Sequence, residues 1–481
     1  MLSVFFIYLV IVFLIGTFAS RFMSKSEDGF YLGDRNFGPV ATAISAGATD
    51  TSGWIFIGAA GFAYATGIAT MWMLPGFIIG YLLNWFVVAP RFRRQGQQLN
   101  ALSMADYLHK RLKDPRGIVK LVSAIIIAGF FLASMAAQLT AAQVTVTTVI
   151  ADVNPTWSLI LSAAFVTGYC LFGGYRAVVW TDVTQGFVMM GVLVLFPIYM
   201  IFFELGGPGQ FFQTLHSIDP QLLTATGGAT GAAAFGFLLG NIGFGIGEPG
   251  QPHITQRFLS ARDDTAIRQG SMVAMVWVII VMTGSNLLGL IGRIAMPNLG
   301  DPEYVFPMVS LDILTPILAG VVLAAVFAAI QSTFSSQVMV ATQSVASDAL
   351  KTLTKKEFSQ RTTVWISRTT MVVLATLATL VALSGWNGVF ELVLYAWGGL
   401  AAAFGPLLIF CLYSNFVTRA GALAGILSGT IAVVVWVNLG LQDYIYELVP
   451  GVVCSTVALV AVSALTRRGT PEKVAMAHHE N

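Results

Sequence analysis

Two carboxylates stand inside apolar stretches of this sequence, where an ionised group is costly. Asp50 lies in the run Ser45-Ala-Gly-Ala-Thr-Asp-Thr-Ser-Gly-Trp54, and Glu248 lies in a second run rich in glycine. A charge at the centre of a bilayer costs at least about 2.5 kcal/mol unless it is paired, so such residues indicate function. Asp50 is predicted either to cap the chain after a helix break or to contribute to a cation's field. For Glu248 three roles stay open: a helix cap, a ligand for an amine, or a proton carrier.

Four hydroxyl groups lie close together in a further segment, at Ser332, Thr333, Ser335 and Ser336. Hydroxyl and free carbonyl oxygens are hard ligands, which suit a small cation. Ser332 and Thr333 are predicted to close such a site if unwound carbonyls from the Asp50 segment face them. The alternative is that these hydroxyls bond back to their own helix, as serine and threonine often do.

Asp182 begins another apolar segment and by itself is compatible with a helix N-cap. Ser332, Ser335 and Ser336 share one helical face, which Asp182 would have to meet near the cytoplasmic side. No basic residue lies in the apolar part of either segment. A cation is therefore the expected partner of the carboxylate, and a hydrated vestibule is the alternative.

Motifs of soluble enzymes are absent or out of context. The pattern Gly245-x-Gly247-x-x-Gly250 fits a dinucleotide fingerprint by letter, but it lies in an apolar segment with no preceding strand. The sequence has no HExxH motif, Walker A lysine or serine elbow, and a metal role for His478 and His479 in the tail is not expected. We therefore predict that the chain is not an enzyme.

The elements that position these residues must be membrane helices. The chain has 481 residues, of which 56% are hydrophobic and only 10% charged, whereas soluble domains carry about a quarter charged residues. Lipid is therefore the main solvent. The net charge of +2 argues against a nucleic-acid partner, and the three cysteines in apolar runs imply no disulfide framework. Residues 2–20 are predicted to be a retained first helix and not a signal peptide.

Thirteen segments satisfy the length rule for a membrane helix. If they alternate in direction, all 25 basic residues except Arg293 lie on one side, which the positive-inside rule assigns to the cytoplasm. The N-terminus is then outside and the C-terminus inside, in a multi-pass cell (inner) membrane protein. The predicted segments are 2–20, 38–66, 68–90, 118–150, 156–175, 180–204, 230–255, 269–296, 314–349, 362–384, 388–416, 419–440 and 448–466.

The second and seventh segments are interrupted in matching ways, by the small residues around Asp50 and by the glycines and proline around Glu248. Irregular backbone within a membrane is tolerated where it lines a cavity. The breaks lie five helices apart, which is the pattern of an inverted five-helix repeat with a binding site at the breaks. The alternative is that the glycines only allow close helix packing.

From about Phe30 to Thr466 the chain resembles the sodium:solute symporter family, and most closely its sodium/proline branch. The matching motifs are Ser45–Trp54, Trp180-Thr-Asp182, Gly250-Gln-Pro-His-Ile254, Ser332-Thr333, Tyr395-Ala-Trp-Gly398 and Ala403-Phe-Gly-Pro406.

This resemblance implies an all-α membrane protein with the leucine-transporter-type fold. Residues 1–37 would form an extra N-terminal helix and cytoplasmic loop, and 38–416 a core of two inverted repeats, 38–204 and 230–416, joined by an extracellular loop. Residues 417–481 would form two further helices and a cytoplasmic tail.

The resemblance also implies roles for particular residues. The main sodium site would use the carbonyls of Ala48, Thr51 and Ala329 and the hydroxyls of Ser332 and Thr333. Asp50 would couple ion and solute, and a second sodium in some relatives corresponds to Asp182, Ser332, Ser335 and Ser336. The substrate residues would be Ser52, Gly53, Trp54, Phe244 and Glu248.

The chain departs from the proline branch at the pocket. That branch has a tryptophan where Phe244 stands, an aromatic residue near Ala133, and no carboxylate at Glu248.

The resulting hypothesis is a sodium-coupled symporter that imports proline or a similar small carboxylate-bearing solute by alternating access. A single chain is expected to be sufficient for transport. The alternatives are a proton-coupled symporter using Asp50 or Glu248, a solute-sensing membrane module, and a passive channel.

Overall fold

The computed structural model describes residues 1–22, 26–150, 153–356, 358–385 and 388–467. Within these ranges regular structure is helical, apart from one isolated bridge between Phe37 and Ala261. Lys25, Arg468 and Lys473 of the predicted cytoplasmic set lie outside the described residues, as do His478 and His479. The α-helices are Leu2–Ala19, Glu27–Leu32, Pro39–Phe56, Gly58–Thr66, Met73–Leu82, Ala89–Gln98, Met104–Arg111, Ile118–Val149, Pro155–Tyr199, Pro208–Ile218, Gly231–Ile246, Pro252–Ser260, Asp264–Ala295, Val305–Ile313, Pro316–Gln343, Leu350–Thr354, Gln360–Leu383, Val389–Tyr413, Arg419–Asn438 and Leu448–Arg467.

A many-helix membrane architecture is confirmed. In the described part of the chain, ten helices are long and apolar enough to cross a bilayer. Two shorter apolar helices, Pro155–Leu171 and Gly231–Ile246, coincide with further predicted crossings. The count of thirteen crossings and the sidedness of the termini stay predictions.

The first broken helix consists of Pro39–Phe56 and its continuation Gly58–Thr66. The break falls at Ser52, whose φ of 48° and ψ of 173° leave the helical region. Side chains satisfy the amides beyond it, because the Gly53 N–H donates to Gln138 Oε1 at 2.9 Å and the Trp54 N–H to Ser52 Oγ at 3.2 Å. The predicted interruption is therefore present, and Asp50 does not cap it.

The second broken helix consists of Gly231–Ile246, the short turn Glu248–Gly250, and Pro252–Ser260. Prolines at the start of the turn and of the last helix lack the N–H that a continuous helix needs. The predicted segment 230–255 ends too early, because the helix continues to Ser260 and buries Arg257 completely. This arginine, counted among the loop residues by hydropathy, lies inside the protein because buried partners neutralise it.

A third helix, Pro316–Gln343, carries the hydroxyl cluster and is named the hydroxyl helix. All its residues from Val322 to Gln343 are buried. It lies so close to the first broken helix that a Cβ added at Gly53 would stand 2.7 Å from Ile330 Cγ1. The break and the hydroxyl cluster are thereby held in direct contact.

Candidate functional site

The hydroxyl helix meets the first broken helix through two side chains. Ser332 Oγ donates to the Ala48 carbonyl at 2.8 Å and also contacts the Ala329 carbonyl of its own helix at 3.0 Å. Thr333 Oγ1 donates to the Thr49 carbonyl at 2.7 Å. The hydroxyls thus reach across to the other helix, as well as back along their own.

These contacts collect hard oxygen atoms at one place. Ser332, Thr333 and the carbonyls of Ala48 and Ala329 form a donor set that fits a sodium ion, because it contains oxygen and no sulfur or nitrogen ligand. The Thr51 hydroxyl instead donates to Gly47 O at 2.7 Å and accepts from Trp277 Nε1 at 3.0 Å. The Thr51 side chain therefore holds the first broken helix in place, and the Thr51 carbonyl remains the predicted sodium ligand.

Asp50 and Glu248 come together where the two broken helices meet. Both side chains are buried, and they lie within hydrogen-bonding reach of each other. Tyr81 Oη donates to Asp50 Oδ2 at 2.6 Å, and Asn84 Nδ2 donates to Glu248 Oε2 at 3.2 Å. No described lysine or arginine pairs with either carboxylate. The structure therefore joins two residues that the sequence presented separately.

An aromatic layer of Trp54, Phe77, Phe244 and Trp397 separates two cavities. Phe244 stacks on Trp397, with centroids 5.4 Å apart, and meets the Trp54 ring edge-on at 5.2 Å. On one side a vestibule of about 500 Å³ is lined by Phe244, Glu391 and Glu447, among others.

On the other side of the layer lies an inner pocket of about 10 Å³, room for one water-sized sphere. Asp50, Ser52 and Trp54 line it together with Gln251 and His253. Of the predicted substrate residues, Ser52 and Trp54 face this pocket, Phe244 faces the vestibule, and Glu248 faces Asp50. In this arrangement the inner pocket is too small to hold a solute.

Asp182 has a protein partner that sequence reasoning missed. It lies inside the helix Pro155–Tyr199, so the N-cap alternative is wrong. Its Oδ2 accepts from Arg257 Nη2 at 2.9 Å and from Ser45 Oγ at 2.6 Å. Arg257 also donates to Ser336, while Ser335 Oγ donates to the Ser332 carbonyl of its own helix. The expectation that Asp182 needs a free cation is therefore corrected, because Arg257 supplies the positive charge from a third helix.

Tyr81, Asn84, Gln138 and Arg257 are further polar residues of the site that the sequence did not single out. Tyr81, Asn84 and Gln138 each stand inside an otherwise apolar segment, which was the available signal. No such signal marked Arg257, because the hydropathy pattern ended the predicted helix before this residue and placed it in a loop.

Comparison with known proteins agrees with this architecture. The sequence model described as the sodium:solute symporter family matches residues 30–429. The osmoregulated proline transporter of Bacillus subtilis is 35% identical over 470 residues, which cover 96% of this chain and 94% of that protein. The sodium/proline symporter of Escherichia coli is 33% identical over 474 residues, covering 97% and 93%.

Solved structures establish the fold. A sodium-coupled sialic acid symporter, in a substrate-bound outward-open state, matches with a TM-score of 0.78 at 21% identity, over 96% of this chain and 97% of that one. A transporter of the nucleobase-cation-symport-1 family, in a closed conformation, matches with a TM-score of 0.59 at 13% identity, over 92% and 95%. The leucine-transporter-type fold expected from the sequence is confirmed.

Proposed function

The chain belongs to the sodium:solute symporter family, and from that premise we propose that it imports proline or a similar small carboxylate-bearing solute. It is a sodium-coupled membrane transporter and not an enzyme. Proline is proposed because relatives named as proline transporters match nearly the whole chain. The observation that carries the coupling proposal is the contact of Ser332 and Thr333 with the carbonyls at the helix break.

Sodium binds, in this proposal, between the first broken helix and the hydroxyl helix. The ligands are the carbonyls of Ala48, Thr51 and Ala329 with the hydroxyls of Ser332 and Thr333. Each hydroxyl can turn its lone pairs to a cation, because its hydrogen is free to rotate away. An ion bound to both helices stabilises the conformation in which the break and the hydroxyl helix are in contact. Moving one charge across a membrane potential of 100 mV supplies about 2.3 kcal/mol to transport.

The solute binds beside the break, between the aromatic layer and Ser52. The amides of Gly53 and Trp54 are the predicted donors to a solute carboxylate, and they are bonded to Gln138 and Ser52 in this structure. A carboxylate can replace these neutral acceptors with a stronger charge-assisted bond. Such an exchange would link solute binding to the position of the helix Ile118–Val149, which carries Gln138.

The wider arrangement is part of the same proposal. The repeats are 38–204 and 230–416, the N-terminus is outside, and the vestibule opens to the exterior of the cell membrane. One chain transports by itself, without nucleic acid. A second sodium at Asp182, Ser332, Ser335 and Ser336 stays a prediction, and it would require Arg257 to release the Asp182 carboxylate.

The experiment is uptake of labelled proline into proteoliposomes that contain the purified protein. We expect accumulation that requires an inward sodium gradient, is lost when a proton gradient alone replaces the sodium gradient, and is competed by unlabelled proline. The matched control is the double variant Ser332→Ala/Thr333→Ala in the same lipid. Saturation by a sugar, with no sodium-dependent proline uptake, would overturn the substrate proposal.

A further inference from the structure

The vestibule outside the aromatic layer carries acidic groups and no basic ones. Its volume of about 500 Å³ is that of a small-molecule binding site. Glu391 and Glu447 contribute carboxylates to its wall, and no lysine, arginine or histidine occurs among the described residues that line it. Glu391 is already engaged, because its Oε2 accepts from the Gly388 N–H at 2.9 Å and caps its own helix. Glu447 is therefore the carboxylate available to a ligand.

Glu447 lies at the inner end of the vestibule, against the aromatic layer. Its Cγ would stand 3.4 Å from a Cβ added at Gly398, the residue that follows Trp397. The preceding ring, of Tyr446, lies 5.8 Å from the ring of Phe244. Glu447 is only 3% exposed, yet within the described residues it forms no ion pair and accepts no hydrogen bond from another residue. A buried carboxylate requires a partner, and here the protein supplies none.

The rest of the wall favours an organic cation over a metal ion. Phe62, Phe237 and Phe390 all line the vestibule, and the Phe62 ring lies 4.9 Å from that of Phe390 and 6.2 Å from that of Phe237. Aromatic faces attract ammonium groups, whereas a hard metal ion requires a shell of oxygen ligands. A bare ion would also leave most of so large a cavity unfilled. An ammonium group attached to a small carbon skeleton satisfies both the carboxylate and the rings.

We propose that the vestibule is an entry site for an organic ammonium group, with the Glu447 carboxylate as its counter-charge and the surrounding rings as its walls. The inference rests on the proposed function for the identity of the solute, since proline carries a secondary ammonium group beside its carboxylate. In this structure the inner pocket has room for one water-sized sphere, so the solute is held outside the aromatic layer. Neutral and anionic solutes lack the attraction to Glu447, and the site selects amines before the layer opens.

The direct test is isothermal titration calorimetry of the purified full chain with pyrrolidine, a ring amine that is protonated at neutral pH and has no carboxylate. In a phosphate buffer free of other amines, wild type should bind pyrrolidine at least about tenfold more tightly than cyclopentanol, a neutral ring of similar size. Glu447→Gln should weaken pyrrolidine binding by at least about tenfold, because a charge-assisted contact is lost. Glu447→Asp keeps the charge and should bind within about threefold of wild type.

A second variant tests the cavity without altering the carboxylate. Gly240 lies on the vestibule wall, and a Cβ added there meets Tyr446 at an ordinary contact distance of 3.5 Å. Gly240→Leu should therefore fold, fill part of the vestibule, and weaken pyrrolidine binding by at least about fivefold. This variant locates the bound amine even if Glu447→Gln does not fold.

Uptake of labelled proline tests the entry role. Glu447→Gln should raise KM by at least about fivefold, while the maximal rate and the sodium activation stay within about twofold of wild type, because the residue acts before the aromatic layer opens. The matched control is Glu204→Gln, which removes an exposed carboxylate outside the vestibule and should leave KM unchanged. An unchanged KM in Glu447→Gln would overturn the entry role.

The binding measurements keep this inference separate from the proposed function. Absence of pyrrolidine binding by wild type, equal binding of cyclopentanol, or pyrrolidine binding that both Glu447→Gln and Gly240→Leu leave unchanged would each overturn the ammonium site. Pyrrolidine binding that depends on Glu447, in a protein that takes up no proline, would support the ammonium site and contradict the proposed solute instead.

Discussion

At the scale of single residues, the hydroxyls of Ser332 and Thr333 differ from ordinary mid-helix hydroxyls. Ser310 Oγ, for comparison, donates only to Phe306 O of its own helix at 2.7 Å. Ser332 and Thr333 reach carbonyls of another helix. The two residues are thus placed to respond to a change in the distance between helices.

Replacing both Ser332 and Thr333 with alanine should weaken sodium activation by at least about tenfold, since two of about five oxygen ligands are lost. Ser310→Ala removes a buried hydroxyl outside the site and should leave sodium activation unchanged. The measurement is the initial uptake rate as a function of sodium concentration. Wild-type sodium dependence in the double variant would place the site elsewhere.

Arg257 and Asp182 are buried charges that neutralise each other, since their side chains are 1% and 0% exposed and lie 2.9 Å apart. Arg257→Met should lower the free energy of unfolding by about 3–5 kcal/mol, since it leaves Asp182 buried without a counter-charge. Adding Asp182→Asn to Arg257→Met should restore part of this loss. Equal stability of the single and double variants, measured by thermal unfolding in one detergent, would mean that the pair is not coupled.

At the scale of helices, the first break is held open by packing. Gly53 has no side chain, and any Cβ there would stand 2.7 Å from Ile330 and 2.9 Å from Ala141. These atoms belong to the hydroxyl helix and to the helix Ile118–Val149, which approach the break from two directions. The absence of a side chain at Gly53 is what allows this approach.

Gly53→Ala should therefore cost about 1–3 kcal/mol of stability through overpacking and should strongly reduce uptake. Gly129→Ala is the matched control, because a Cβ at Gly129 meets nothing within 4 Å. That variant should be neutral or slightly more stable, since alanine favours a helix. Thermal unfolding and uptake are measured for both variants. Equal stability and equal uptake of the two variants would show that the break tolerates a side chain.

At the scale of the whole molecule, a charge cluster joins the short helix Met104–Arg111 to the membrane core. Lys120 Nζ lies 2.9 Å from Asp106 and 3.2 Å from Asp348, and Lys110 Nζ lies 2.8 Å from Asp106. Burial tends to raise the pKa of Asp106, but Lys120 and Lys110 together hold that pKa below its ordinary value. Asp106 therefore stays ionised at neutral pH.

Lys120→Met should destabilise the protein by about 3–5 kcal/mol, because it leaves Asp348 and part of Asp106 unpaired. Since the folded pKa of Asp106 is the lower one, its contribution is complete above about pH 4 and is lost as pH falls through the folded value. Unfolding followed between pH 3 and 8 should show a smaller acid-induced loss in Lys120→Met than in wild type. The exposed Arg116 provides the control, and Arg116→Met should match wild type at every pH.

The sequence by itself determined that lipid surrounds the protein, which class of fold it adopts, and where its two broken helices are interrupted. These are local properties: lipid demands long apolar helices that satisfy their own backbone, and glycine and proline interrupt such helices wherever they concentrate. The hydroxyl cluster of the proposed sodium site was also visible in the sequence, because Ser332 and Thr333 stand together in one apolar segment.

Only the tertiary structure decided which buried charges meet. Asp50 faces Glu248, and Asp182 faces Arg257, although each pair comes from helices far apart in the chain. Hydropathy reports how deep a residue lies, but the rotation of a helix about its axis decides what its side chain touches, and that rotation is set by packing against neighbours. For the same reason Glu248 is an isolated carboxylate in the sequence, whereas helix packing places it near Asp50.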